Sequence, residues 1–140
     1  NNIIKETSDS FNQKNISVEF NSDASLEIEG DDSLLYSLFR NIFDNTLAYA
    51  SNASLFKIEA KENRDYVLFN FIDNGVGVPN EELSHIFERF YRIDKSRSRR
   101  LGGTGLGLAI VKNIAIQYGG SVNASTTTGG GLTISVTLKK

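Results

Sequence analysis

Ile3, Ile4, Thr7 and Phe11 recur at helical spacing before Gln13-Lys14-Asn15 interrupts them, and Ile16, Val18 and Phe20 then alternate with polar neighbours. The pattern predicts a helix running into a strand. Leu26 and Ile28 predict a second strand closed by Gly30. Asp31 or Asp32 then caps a helix to about Ala50 whose apolar face is Leu34, Leu35, Leu38, Phe39, Ile42, Phe43 and Leu47. Residues 55–72 read as a hairpin: Phe56 and Ile58 alternate with polar positions, a polar turn spans Glu62 to Asp65, and the segment YVLFNFI follows. That strand ends at Asp73-Asn74-Gly75-Val76-Gly77-Val78-Pro79. A short helix is predicted from about Asn80, with Leu83, Ile86, Phe87 and Phe90 on one face.

From Asp94 to Gly103 no apolar period survives, which predicts a surface loop of functional length. Glycines then open a helix carried by Leu106, Leu108 to Val111, Ile114 and Ala115 to about Tyr118, where Gly119-Gly120 supplies a left-handed stop. Two final strands, about Ser121 to Thr127 and Leu132 to Leu138, are joined by Gly129-Gly130-Gly131 as an antiparallel hairpin. Hairpins interleaved with two or three helices imply an α+β fold. The expected architecture is a two-layer α/β sandwich, with a mixed, mostly antiparallel sheet covered on one face by about three helices.

Composition narrows the chemistry. At 140 residues the chain fits one domain, and nine Phe and five Tyr suffice to fill a core. With no Cys and a single His, disulfides, thiolate clusters, a cysteine nucleophile and a His-type zinc site are excluded. A net charge of -2 argues against generic nucleic-acid binding, although Arg89 to Arg100 is strongly basic and suits an anionic visitor. No uninterrupted apolar run has the length of a membrane span, and the start NNIIKETSDS lacks a signal-peptide layout.

Three places could carry chemistry. Asn41 and Asn45 project from one helix face a turn apart. They read either as a solvated polar face or as hard oxygens suited to Mg²⁺. Asp73-Asn74-Gly75 is a good turn signal, yet Gly75 and Gly77 would admit a flat ligand closely and Asp73 could accept hydrogen bonds from an exocyclic amine. Gly102-Gly103-Thr104-Gly105-Leu106-Gly107 joins flexible glycine backbone to a helix N-terminus, where free N–H groups attract anions. It is neither a Walker loop nor a dinucleotide fingerprint. IFERFYRIDKSRSRR lies between, its arginines and Lys95 forming a phosphate-facing rim. His85 has no partner set for metal or triad chemistry and reads as an ordinary surface histidine.

Taken in order, NIFDNTLAYA, DNGVGVP, IFERFYRIDKSRSRR and GGTGLGLAIVKNIAIQYGGSV resemble the N box, first glycine box, F box and second glycine box of bacterial sensor histidine kinases. The resemblance runs from about Asp31 to Leu138. It implies an ATP-binding catalytic domain, occupying residues 1–140 of a longer protein, that transfers the γ-phosphate of ATP to a histidine. In it Asn45 resembles the Mg²⁺ ligand, with Asn41 beside it, and Asp73 resembles the adenine-recognising acid beside Gly75 and Gly77. Tyr49, Arg92, Lys95 and Gly103, Thr104, Gly105, Leu106 and Gly107 correspond to the triphosphate surroundings. Thr133 stands near the family's Gly-Thr pair and is carried as a cofactor contact, and Asp44, next to Asn45, as a catalytic assistant with Arg92.

The chain also departs from the family. Ala48 replaces a common Lys, Leu132-Thr133 replaces Gly-Thr, and Lys139 stands where Pro is common. Asn41 occupies the position where gyrase-type relatives carry a water-activating Glu, which favours transfer over hydrolysis. The resemblance implies as partners a dimerisation and phosphoacceptor helical hairpin outside these residues and a response regulator. It places the domain in the cytoplasm, within a homodimeric protein of the bacterial inner membrane. Alternative readings are a nucleotide-binding module without transfer activity, suggested by Ala48, an anti-sigma-type Ser/Thr kinase on the same fold, and an ATP-driven clamp, which Asn41 disfavours.

Overall fold

The computed structural model describes residues 2–22, 32–49, 52–88 and 107–139. Among them, helices α1 (Asn2–Gln13), α2 (Asp32–Tyr49) and α3 (Gly107–Gln117) accompany strands β1 (Ser17–Ser22), β2 (Leu55–Glu62), β3 (Tyr66–Asp73), β4 (Ser121–Thr126) and β5 (Leu132–Lys139). The strands form one sheet in the order β1-β2-β3-β5-β4. The β1–β2 pair is parallel and the other pairs are antiparallel, so the expected mixed, mostly antiparallel sheet is what forms. The predicted strand at Leu26 and Ile28, Phe90, and the loop from Asp94 to Gly103 lie outside the described residues.

One face of the sheet is apolar because the two-residue period of each strand is kept in register across it. Ile58 stands opposite Phe71 and Ala60 opposite Phe69, while Phe69 meets Val136 and Phe71 meets Ile134 on the far side. All are buried. Against this face α1 and α2 set an aromatic cluster in which Phe11 stacks on Phe56 at 5.6 Å and Phe43 meets Phe56 edge-on at 5.1 Å. Burying a Phe contributes about 1.5–3 kcal/mol, and the pair geometry adds about 0.5–1.5 kcal/mol. α3 completes the layer with Leu108, Val111, Ile114 and Ala115. The other face is more polar: Lys57, Glu59, Asn70, Ser135 and Thr137 are half-buried there, and Ser135 donates to Asn70 at 2.7 Å.

The turns follow from local chemistry. Asn63 Oδ1 accepts from the backbone N–H of Asp65 and of Tyr66, at 3.0 and 2.8 Å, closing the β2–β3 hairpin. Gly119 adopts φ +71° and ends α3 as expected. The segment from Asn80 is not the regular helix expected. It opens with a single 3₁₀ turn (Asn80–Glu82), and Glu82, Leu83, His85 and Glu88 each donate three residues back, to Pro79, Asn80, Glu82 and His85. Successive tight turns let Ile86 and Phe87 reach the core without a full helical face.

Candidate nucleotide site

Asp73 is the last residue of β3 and falls on the helix-covered face of the sheet, where a charged group is costly. It is 7% exposed. Its Oδ1 accepts from the backbone N–H of Gly75 at 3.0 Å and of Leu132 at 3.3 Å. Burial pushes the carboxyl above its ordinary range, and the two backbone N–H groups oppose that rise without cancelling it. Among the described residues both hydrogen bonds fall on Oδ1. The carboxylate is thus anchored through one oxygen.

The backbone around it is packed without room for side chains. Gly77, at φ +74°, would place a Cβ 2.9 Å from the carbonyl oxygen of Gly131. Gly131, at φ +110°, would place one 2.0 Å from the carbonyl oxygen of Asp73. Neither position accepts a larger residue. Asn74 serves the frame: its Oδ1 accepts from Ser54 and Leu55 N–H at 2.8 and 3.0 Å, and its Nδ2 donates to Ser54 Oγ at 2.9 Å. The first glycine box is thereby tied to β2 on one side and to the β4–β5 turn on the other.

Within the helical layer α2 packs beside α3. Asn41 is half-buried, its Nδ2 donating to the Ser37 carbonyl at 2.7 Å and to Ser37 Oγ at 3.3 Å. Its Oδ1 lies 3.4 Å from where a Cβ on Gly107 would sit, so the first residue of α3 abuts the N-box helix at ordinary contact distance. Asn45, one turn along, is half-buried and takes no hydrogen-bond partner among the described residues. Tyr49 is the last residue of α2.

Two sequence expectations are not met by this geometry. Asp44 is exposed and engaged by Arg40 at 3.1 Å, because the four-residue helical spacing brings it over Arg40 and not toward Gly107. Thr133 is half-buried on the face of the sheet opposite Asp73, where its hydroxyl meets that of Thr127 at 2.9 Å. Adjacent strand residues point to opposite faces, so it is Leu132, one residue earlier, that reaches Asp73. Arg92, Lys95, Gly103, Thr104, Gly105 and Leu106 lie outside the described residues. His85 faces Glu88 on the surface, in keeping with an ordinary surface histidine.

The model of the family described as histidine kinase-, DNA gyrase B- and HSP90-like ATPases matches residues 30–140. The chain belongs to this family. Among its relatives are the sensor histidine kinase WalK of Bacillus subtilis, 38% identical over 83% of this chain and 19% of that protein, and the phosphate regulon sensor protein PhoR of Haemophilus influenzae, 35% identical over 99% of this chain and 33% of that protein. The chain thus spans between about a fifth and a third of the length of these relatives. Solved structures agree on the fold: the catalytic domain of the histidine kinase ThkA superposes with a TM-score of 0.84 at 21% identity, covering 99% of this chain and 89% of that one. Full-length ShkA, solved in complex with AMPPNP, superposes with a TM-score of 0.83 at 25% identity, covering 98% of this chain and 28% of that one. The matched family is the one that the four boxes resemble, and the curated relatives named here are sensor kinases or sensor proteins.

Gly131 and the Leu132 N–H were missed as site elements, since the three-glycine run reads locally as a hairpin turn. The one available signal was its excess of glycine over what a short hairpin needs.

Proposed function

We propose that this domain binds Mg-ATP between the Asp73 corner and the α2–α3 wall and transfers the γ-phosphate to a histidine on a separate dimerisation and phosphoacceptor domain of the same protein. That protein would be a membrane-anchored homodimer passing phosphate onward to a response regulator. The observation that carries this reading is the Asp73 carboxylate, buried and held by two backbone donors on Oδ1, with Oδ2 unbonded among the described residues and suited to the exocyclic amine of adenine. Gly75 and Gly77 admit the flat base at the same corner. The AMPPNP held by the structurally similar ShkA supports a nucleotide as the ligand.

The residues present fit a magnesium ion in one respect: Asn45 offers an amide oxygen with no partner among the described residues, and Mg²⁺ accepts one or two such protein oxygens alongside phosphates and water. When bound, it would offset the charge of the phosphates. Backbone N–H groups of the second glycine box, Tyr49, Arg92 and Lys95 would line the phosphates, with Lys95 or a neighbouring arginine supplying the charge that Ala48 lacks. Asn41 cannot take a proton from water, and its amide is held by Ser37, so hydrolysis is disfavoured against in-line attack by an aligned imidazole.

Labelled ATP, offered to this chain with and without the cognate histidine-bearing helical domain, tests the reading. Acid-labile label on the added domain is the expected result. Acid-stable label would instead indicate a Ser/Thr kinase, and tight ATP binding without any label a binding module.

A further inference from the structure

α1 lies outside the residues that match the family, yet it grips the N-box helix along one stripe. Tyr36, Arg40, Phe43 and Leu47 of α2 follow one another at four- and three-residue steps, so they share a face. Each meets the N-terminal segment. Tyr36 Oη donates to Glu6 Oε2 at 2.5 Å, and Arg40 donates to the same oxygen at 3.0 Å and, through Nε, to Asp44 at 3.1 Å. Phe43 packs edge-on against Phe11 at 6.1 Å. Lys14 Nζ donates to the Leu47 carbonyl at 2.6 Å, satisfying one of the acceptors left open in the last turn of α2.

Neighbouring residues of a helix stand about 100° apart, so Asn41 and Asn45 face another way from Arg40 and Asp44. Asn41 is turned to Gly107 of α3. The same α2 that α1 holds on one side is therefore a wall of the candidate site on the other. Phe11 and Phe43 anchor the pair, whereas the exposed Glu6–Arg40–Asp44 cluster contributes little to stability and fixes direction instead.

We propose that Glu6 and Arg40 are positioning residues for metal-nucleotide binding: by tying α1 to α2 they set the roll of the N-box helix, and with it the aim of Asn45 at the metal. The inference rests on the nucleotide reading above. It makes the placement of α1 a determinant of how well the site holds Mg-ATP, with the Asp73 corner unaffected.

Calorimetric titration of the 140-residue chain tests it. Variants Glu6→Gln, Arg40→Gln and the double variant are titrated with ATP plus Mg²⁺ and with adenosine alone, which reads the Asp73 corner. Each single variant is expected to bind Mg-ATP about 2- to 5-fold more weakly, the range open to an exposed ion pair, with adenosine affinity and Tm unchanged. The double variant should be no weaker than the weaker single one, since both remove the same tie. Arg40→Lys should recover part of the loss. Unchanged Mg-ATP affinity, an equal loss for adenosine, or additive losses would each overturn the proposal. A wild-type chain that binds neither ligand refutes the nucleotide reading and the clamp with it. One that binds both, with variants equal to it, refutes the clamp alone.

Discussion

At the Asp73 corner, position is set by backbone: a strand end, two N–H groups on one carboxylate oxygen, and glycines packed onto carbonyls so closely that a methyl group has no space. On the α2–α3 wall, position is set by side chains carried on whole helices; among the described residues Asn45 has no hydrogen-bond partner and Asn41 is held by Ser37 alone. A base can be read at a fixed corner because its recognition needs one geometry. A metal and a flexible phosphate chain are better met by amides that can adjust, so substitutions in the two regions should fail differently.

The largest effect is expected at Gly131→Ala. The new Cβ would sit 2.0 Å from the Asp73 carbonyl oxygen on a backbone at φ +110°, so β3 and β5 must part at the corner. A destabilisation of about 3 kcal/mol or more is expected, lowering Tm by roughly 10 °C, together with loss of ATP binding. Denaturant unfolding and calorimetry read both. A variant of wild-type stability would show that the corner is soft and end the contrast.

Asp73→Asn separates stability from function at the same place. The amide keeps the acceptor that Gly75 and Leu132 require but presents a donor where the second carboxylate oxygen stood, so ATP affinity should fall about 10- to 150-fold. Stability should move the other way. Burial raises the carboxyl in the folded state, so the folded chain binds that proton more readily than the unfolded one, and stability falls as pH rises from the ordinary aspartate range through the raised value. The variant lacks this loss. Its Tm should exceed that of wild type at neutral pH, with the gap closing on acidification, as thermal scans across pH would report.

Asn45→Ala is the counterpart on the helical wall. A half-buried amide with no partner among the described residues can be removed without leaving a donor there unsatisfied, so unfolding should shift by less than about 0.5 kcal/mol. Dependence of ATP affinity on Mg²⁺ should nevertheless disappear. Persistence of full Mg²⁺ dependence would remove Asn45 from the metal site.

The same division explains what could be read from the chain. Most strand and helix limits among the described residues were legible because apolar spacing switches cleanly between the two periods, as from β1 to the Leu34–Leu47 face, whereas the tight turns from Asn80 read as a helix. Asp73, Gly77 and Asn41 were legible as types in a sequence of boxes. Local pattern could not show that Gly131, 58 residues beyond Asp73, closes the corner, since that contact exists only once β5 pairs with β3. Nor could it tell that Asn74 ties the glycine box to β2, because an Asn before Gly reads first as a turn. Thr133 failed for a related reason: a one-residue offset in a strand exchanges faces, and spacing from a family pattern carries no information finer than that offset.

The smallest effect belongs to that residue. Thr133→Val keeps the branched shape that suits β5 and removes only a hydroxyl, whose partner Thr127 stays accessible enough to bond water. Loss of this half-buried bond should lower stability by about 1 kcal/mol at most. Affinity for Mg-ATP should stay within about 2-fold of wild type, because the hydroxyl points away from the face that holds Asp73 and, among the described residues, bonds Thr127 alone. Calorimetry at matched temperature provides the check. A loss of tenfold or more with the fold intact would mean that the nucleotide engages both faces of the sheet, and that the corner is not the self-contained, backbone-built half of the site that the packing of Gly77 and Gly131 implies.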